Sequence, residues 1–410
     1  MSLSDITTLL TYLQVDPDPA QKAFAVFKWL YHRDLMLSNS IFEAAASRTN
    51  SAACCLSRRL CQALDAVATL DDGLRLLERK IAGDGTQKLV MQVTDGPGKG
   101  QAVEAVLIPM VRGPEQRPRF TLCVSSQSGC AMACAFCHTG KMGLLTSLTA
   151  GQIVGQWVLA RRLGREGGRE GGREGGEGET GNERPILRVV FMGMGEPFDN
   201  YAEVTKALSI LTEQRGKLLL GPNKITVSTV GLVPFIDRFV EETRCMLAVS
   251  LHATTDEVRS SFMPINRRYP LSSSLLPSLR RHFPLPRAAT STGRRERRRR
   301  GPVALEYLLL AGVNDDEKDA ERLAAMTEGM DCVINLIHFN SHEGADFLPA
   351  SPDAIRSFRR ILKGHGRLST VRESKGAEEM GACGQLGDLS RARGRRDGGR
   401  AGDDGAESQA

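Results

Sequence analysis

Apolar residues recur every three to four positions in the first part of the chain and later fall into short, nearly unbroken runs. QKAFAVFKWLYH (21–32) and LSRRLCQALDAVATL (56–70) carry the helical period. Residues 1–87 are therefore expected to form a small helical N-terminal domain. From about residue 88 the texture is that of strands: KLVMQV, then AVEAVLIPM, then RFTLCVS.

Further along, strands and helices alternate. LTAGQIVGQWVLARRL reads as a helix with Thr149 as its N-cap. The runs ILRVVFMG, KITVSTV, RCMLAVSLH, VALEYLLL and CVINLIHFN read as strands, with helical segments such as YAEVTKALSILTEQR and DDEKDAERLAAMTEGM between them. PDAIRSFRRILKGHG and LSTVRES close the pattern. Strands that are apolar throughout and alternate with helices imply a parallel sheet covered by helices. In such folds ligands sit beyond the C-terminal ends of the strands, which makes the residues just after each strand the candidates for chemistry.

Two segments break the alternation. Residues 164–181 are a Gly/Arg/Glu repeat, and 285–301 are rich in Pro, Ser, Thr and Arg. Neither can bury a core, and both are expected to be disordered insertions in a domain spanning 88–387. Residues 388–410, with arginines balanced by acids, are expected to be a disordered tail.

Charge changes this picture little. The net +6 arises almost wholly from Arg294–Arg300, six arginines and one glutamate, which leaves the rest of the chain near neutral. That run either grips phosphates or is a solvated loop. No stretch approaches the roughly 18–20 apolar residues that span a bilayer. The first 24 residues carry three Asp and no Arg, unlike a signal or transit peptide, so a cytoplasmic protein is expected. The repeats suggest a eukaryotic gene and keep a plastid or mitochondrion as the other location. No membrane association is expected.

Ten cysteines without a secretory signal point to reduced thiols, metal or catalysis. Cys130, Cys134 and Cys137 stand at CxxxCxxC spacing in GCAMACAFCHTG. Three thiolates can hold three irons of a [4Fe-4S] cluster and leave the fourth open for a ligand. Structural zinc, with His138 as a fourth ligand, is the other reading.

CxxxCxxC with the aromatic Phe136 before its last cysteine resembles the radical S-adenosylmethionine (SAM) signature. CVSSQSGCAMACAFC, MGMGEP, ITVSTVGLVP, SLHA, MPIN, EY(x)L and GACGQL, in that order, resemble the RlmN/Cfr family of RNA adenine methyltransferases from about residue 8 to residue 388. The resemblance implies an α/β fold, a partial (β/α)6 radical SAM barrel behind a small helical N-terminal domain that helps hold RNA. It implies a SAM-ligated [4Fe-4S] cluster, an rRNA or tRNA substrate, an electron donor such as flavodoxin or ferredoxin, and a monomer.

It also implies roles for single residues. Cys383 takes a methyl group from a first SAM, and a radical from a second SAM takes a hydrogen from that methyl. The carbon radical adds to the adenine ring, Glu104 accepts a proton, and Cys123 attacks Cys383 to release the product and leave a disulfide. Gly195, Glu196, Ser228, Ser250, Leu251, His252 and Asn340 are the implied SAM contacts. Carbon 2 is the expected site, with carbon 8 methylation or a non-catalytic RNA-binding assembly factor as alternatives. The chain departs from the family where Pro-Trp-Asn-Pro is usual, having His338, Phe339, Asn340 and Ser341 instead. Lys375 stands where Arg is usual, and the Glu104–Cys123 connection is six residues longer.

Overall fold

The computed structural model describes residues 3–13, 18, 22–24, 26–27, 58–66, 73–110, 119–166, 186–213, 220–285, 301–342, 344–372 and 374–387. Residues 167–181 and 286–300 of the two expected insertions lie outside these residues, as does the tail 388–410.

Among the described residues, ten strands form one sheet in the order β1-β2-β3-β4-β7-β8-β9-β10-β11-β12. β1 (Leu74–Ile81), β2 (Gln87–Val93), β3 (Ala102–Met110) and β4 (Arg119–Cys123) form an antiparallel run. β7 (Ile186–Phe191), β8 (Ile225–Thr229), β9 (Met246–Ser250), β10 (Val303–Leu309), β11 (Cys332–His338) and β12 (Ser369–Arg372) continue it in parallel, each joined to the strand before it. Helices between these strands bury the sheet's outer face. Trp157, Phe198, Phe239 and Phe358 from that layer meet strand residues such as Val189, Val227 and Leu305 in one core. At about 25 cal/mol per Å2 of apolar surface, burying each such side chain contributes roughly 1.5–3 kcal/mol.

Local signals set the helix starts. Thr149 caps the helix Ala150–Glu166: its Oγ1 accepts the Gln152 N–H at 3.2 Å while Gln152 Oε1 accepts the Thr149 N–H at 2.9 Å. This reciprocal capping box satisfies two otherwise orphaned donors. The same helix runs three residues into the expected Gly/Arg/Glu insertion. Ser351, followed by Pro352, caps Pro352–Gly364 through the Ala354 N–H at 3.1 Å.

The first strand corrects the expected boundary. Residues 74–81, assigned to the helical segment, form β1, an edge strand paired with β2 through a turn at Asp84 and Gly85. Its inner-outer alternation is blurred by a register shift between Leu76 and Glu78 and by charges on an exposed edge. Sequence periodicity alone therefore failed to mark it. Of the residues before it, Leu3–Leu13 and Arg58–Asp65 are helices.

Candidate active site

A separate two-stranded ribbon frames the cysteine loop. β5 (Gln127–Gly129) pairs antiparallel with β6 (Leu144–Ser147), and the chain between them carries Cys130, Cys134 and Cys137 before the short helix His138–Met142. Gly129 has φ +73°, and a Cβ there would lie 1.9 Å from the Gly143 carbonyl oxygen, so the ribbon closes only around glycine. Cys134 is buried and the other two are half-buried. Burial is the main reason that all three thiols are pushed upward, Cys130 to about 12, and neighbouring cysteines of the set add to this in each pair.

This donor set fits an iron–sulfur cluster. Among the described residues no three His, Cys, Asp or Glu side chains converge about one metal ion, as tetrahedral zinc with His138 would require. A four-iron cluster takes one thiolate per iron at wider spacing, and its positive irons allow crowded, buried thiols to ionise.

Among the described residues, two cavities lie against the sheet and share part of their walls. The smaller, about 140 Å3, is lined by Cys137, Gly195, Glu196, Ser228, Ser250 and His252, all at or beyond C-terminal strand ends apart from the cluster-loop cysteine. The larger, about 530 Å3, reaches from Cys123 and Asn340 down to Met246 and Ala304. Met192, Glu306, Ile337, Arg372 and Cys383 line both.

Residues of the smaller cavity are held rigidly. Gly195 has φ +96°, and a Cβ would meet the Gln127 backbone nitrogen at 2.9 Å. Glu196 is fully buried. Its Oε1 accepts the Phe198 N–H at 3.0 Å and its Oε2 accepts the Val230 N–H at 2.9 Å, which ties the end of β7 to the end of β8. Burial outweighs these bonds and raises its carboxyl to about 7. His252 has φ +57°, and its Nδ1 accepts the Leu308 N–H at 3.0 Å. Burial, reinforced by Arg259, lowers its imidazole to about 3, so the ring is neutral with its proton on Nε2.

Three expected residues stand elsewhere. Leu251 does not line either cavity. Its side chain is in the core, its N–H donates to the Glu306 carbonyl at 3.0 Å and its carbonyl accepts from Arg259 Nε at 2.9 Å. Asn340 lines the larger cavity rather than the smaller, and its Nδ2 donates to the Cys383 carbonyl at 3.3 Å. Glu104 is buried but on neither wall. Its Oε2 pairs with Lys88 Nζ at 2.9 Å and accepts the Gly387 N–H at 2.9 Å. In this arrangement Glu104 anchors the segment that carries Cys383.

Cys123, at the end of β4, and Cys383 are both free thiols on the wall of the larger cavity. Burial, and then the neighbouring Cys383, push the Cys123 thiol up to about 12, against an opposing pull from Arg372. The Cys383 segment is fastened on several sides. His138 N–H donates to the Gly384 carbonyl at 2.8 Å, Thr139 Oγ1 to the Leu386 carbonyl at 2.5 Å, and Gln385 Nε2 to the Ser341 carbonyl at 3.0 Å. The proline-free turn His338–Ser341 thus supplies two of its attachments.

Three residues had no assigned role from sequence. Arg259 is completely buried. It donates to the carbonyls of Val230, Ser250 and Leu251 and to Asn266 Oδ1 at 2.7–3.0 Å, which links MPIN to SLHA. Arg372 ends β12 beside Cys383, Glu306 and Cys123. Glu306, the acid of EY(x)L, is buried in β10. A charged residue inside an apolar run such as VALEYLLL was the available signal.

Residues 124–324 match the model of the radical SAM superfamily. The chain is 40% identical over 365 residues to the dual-specificity RNA methyltransferase RlmN of Geobacter sulfurreducens, covering 89% of this chain and 85% of the relative. It is 41% identical to the protein of the same name from Dinoroseobacter shibae, over 76% of this chain and 72% of the relative. Its backbone superposes on a radical SAM methyltransferase from Sphaerobacter thermophilus with TM-score 0.74 and 36% identity, covering 94% of this chain and 97% of that one. Extended similarity of sequence and fold, together with the cysteine loop and the cavity built over it, places this chain in the radical SAM superfamily and, within it, in the RlmN family.

Proposed function

We propose that this protein methylates carbon 2 of an adenine in ribosomal RNA, transfer RNA or both, through a methyl group carried on Cys383 and with two SAM molecules consumed per turnover. One observation carries the reading: Cys383 lines both cavities at once, the one beside the cysteine loop and the large one that also holds Cys123. A sulfur in that position can exchange groups with a ligand in either space. The relatives' names supply RNA as the substrate class.

In the smaller cavity, Cys383 would attack the methyl carbon of SAM as a thiolate and release S-adenosylhomocysteine, with Arg372 stabilising the negative sulfur before transfer. A bound [4Fe-4S] cluster with a second SAM supplies the radical that takes one hydrogen from that methyl. The carbon then adds to the ring in the larger cavity. Once the adduct has lost the ring proton and returned one electron to the oxidised electron donor, attack of the Cys123 thiolate on the Cys383 sulfur breaks the sulfur–carbon bond, the freed carbon takes a proton to become the methyl group, and the disulfide left behind is reopened by an outside thiol. His252, neutral and with Nε2–H available, would donate a hydrogen bond to SAM, while Ser228 and Ser250 offer hydroxyls. A one-electron donor of the flavodoxin or ferredoxin class and a cytoplasmic location complete the proposal.

The test is anaerobic reconstitution with iron and sulfide, reaction with SAM, reductant and an adenine-containing rRNA or tRNA fragment, and mass spectrometry of the nucleosides. The expected product is 2-methyladenosine, lost in Cys383→Ala. The carbon 8 isomer would move the site, and 5'-deoxyadenosine with unmodified RNA would remove the substrate assignment.

A further inference from the structure

Glu306 carries an unspent hydrogen-bond acceptor at the heart of the site. Its side chain is 3% exposed, and Oε1 accepts from Asn335 Nδ2 at 3.0 Å. Oε2 is buried with no hydrogen-bond partner, although the residue lines both cavities. A buried carboxylate oxygen without a donor is costly, and a site that tolerates it is built for a donor that arrives with a ligand. Arg372 lines the same two cavities, within electrostatic reach of Glu306, Cys383 and Cys123, and donates from Nη1 to Met192 Sδ at 3.4 Å. Asn335 is itself held by a bond from Thr370 Oγ1, which keeps its amide turned toward Glu306 Oε1.

The shared wall thus offers a cysteine sulfur, a cationic donor and an anionic acceptor. On the base-pairing edge of adenine the order is carbon 2, the acceptor N1, then the N6 amino donor. We propose that Glu306 and Arg372 form the base-reading edge of the larger cavity, with Glu306 Oε2 accepting an N6 hydrogen and Arg372 donating to the ring nitrogen beside the carbon that Cys383 attacks. The inference rests on the adenine-methylating reading above and adds its specificity determinants. Guanine and hypoxanthine place an oxygen where Glu306 requires a donor, so they meet a carboxylate with an acceptor and are rejected. A hydrogen bond from Arg372 also draws electron density from the ring, which favours addition of a carbon radical to the neighbouring carbon. Carbon 8 and N7 show the same sequence on the other edge, so this pair selects adenine without choosing between its edges.

The experiment uses the full chain and RNA fragments in which the target adenosine is replaced by purine riboside, which lacks the amino group, or by inosine. Affinity is read by fluorescence anisotropy and methylation by mass spectrometry, with Glu306→Gln beside the wild type. Wild type should favour adenosine over either analogue by about tenfold or more. Glu306→Gln, whose amide can turn an N–H toward O6, should narrow the adenosine-to-inosine ratio by about tenfold. Asn335→Ala, which frees the carboxylate without removing it, should lower the same ratio less. An unchanged ratio in both variants overturns the proposal, as does a loss of SAM affinity in Glu306→Gln without a change in base preference. Failure of the wild type to methylate adenosine in any fragment would strike the proposed function, while the anisotropy ratios would still decide this inference.

Discussion

Glu104 Oε2 accepts the Gly387 N–H at 2.9 Å, so a carboxylate of β3 holds the far end of the segment that carries Cys383. Lys88 completes the arrangement: its Nζ lies 2.9 Å from the same oxygen and donates to the Met380 carbonyl at 3.2 Å. The pair spans the segment on both sides of Cys383, and any approach of Glu104 to a substrate requires that segment to move.

Lys88→Met should therefore be destabilising by about 3–5 kcal/mol, because it leaves a buried carboxylate without its cation. Urea denaturation reads the loss. Glu104→Gln keeps an acceptor for Gly387 and should cost less. In both variants amide exchange at 380–387 should speed up, and unchanged exchange would show that the segment is held by its other bonds alone.

Arg259→Lys should weaken SAM binding by about tenfold while the chain stays folded. Lysine cannot serve three carbonyls and Asn266 Oδ1 from one planar group, so the ends of β8 and β9 lose their common tie. Titration calorimetry on the reconstituted protein measures the affinity. Wild-type affinity in the variant would mean that Ser250 and His252 are placed without it.

Two buried groups should act on stability in opposite directions as the metal-free protein is acidified from pH 6.5 to 4.5. The folded His252 resists protonation until about pH 3, while the unfolded imidazole gains its proton near 6.5, so acid favours unfolding. The folded Glu196 takes up its proton near 7 and the unfolded one near 4.5, so acid favours folding. His252→Asn should make stability rise across this window, and Glu196→Gln should make it fall, each by up to about 1.4 kcal/mol per pH unit. Parallel slopes in the two variants, from denaturation at fixed pH values, would contradict the assignment.

Cys123→Ala should stop turnover after the carbon of Cys383 has joined the base. A protein–RNA species that survives denaturing electrophoresis is the expected result. Free methylated RNA at the wild-type rate would remove Cys123 from the release step.

What sequence alone determined here is what depends on neighbours along the chain. Spacing of three and four residues placed Cys130, Cys134 and Cys137 on one loop with Cys123 seven residues before it, and unbroken apolar runs marked nearly every parallel strand. β1 escaped because a charged edge strand owes its conformation to β2 and carries little periodicity of its own. The motifs named residues without their partners: MPIN and SLHA are joined by Arg259, and Glu104 by Gly387, 283 positions away. Tertiary structure alone decided that Arg372 stands beside Cys383, that Glu306 on the cavity wall keeps one buried oxygen without a partner, and that Leu251 turns into the core. Those outcomes follow from which strand packs beside which, and hydrogen bonding and burial between distant segments leave no periodic trace in a single chain.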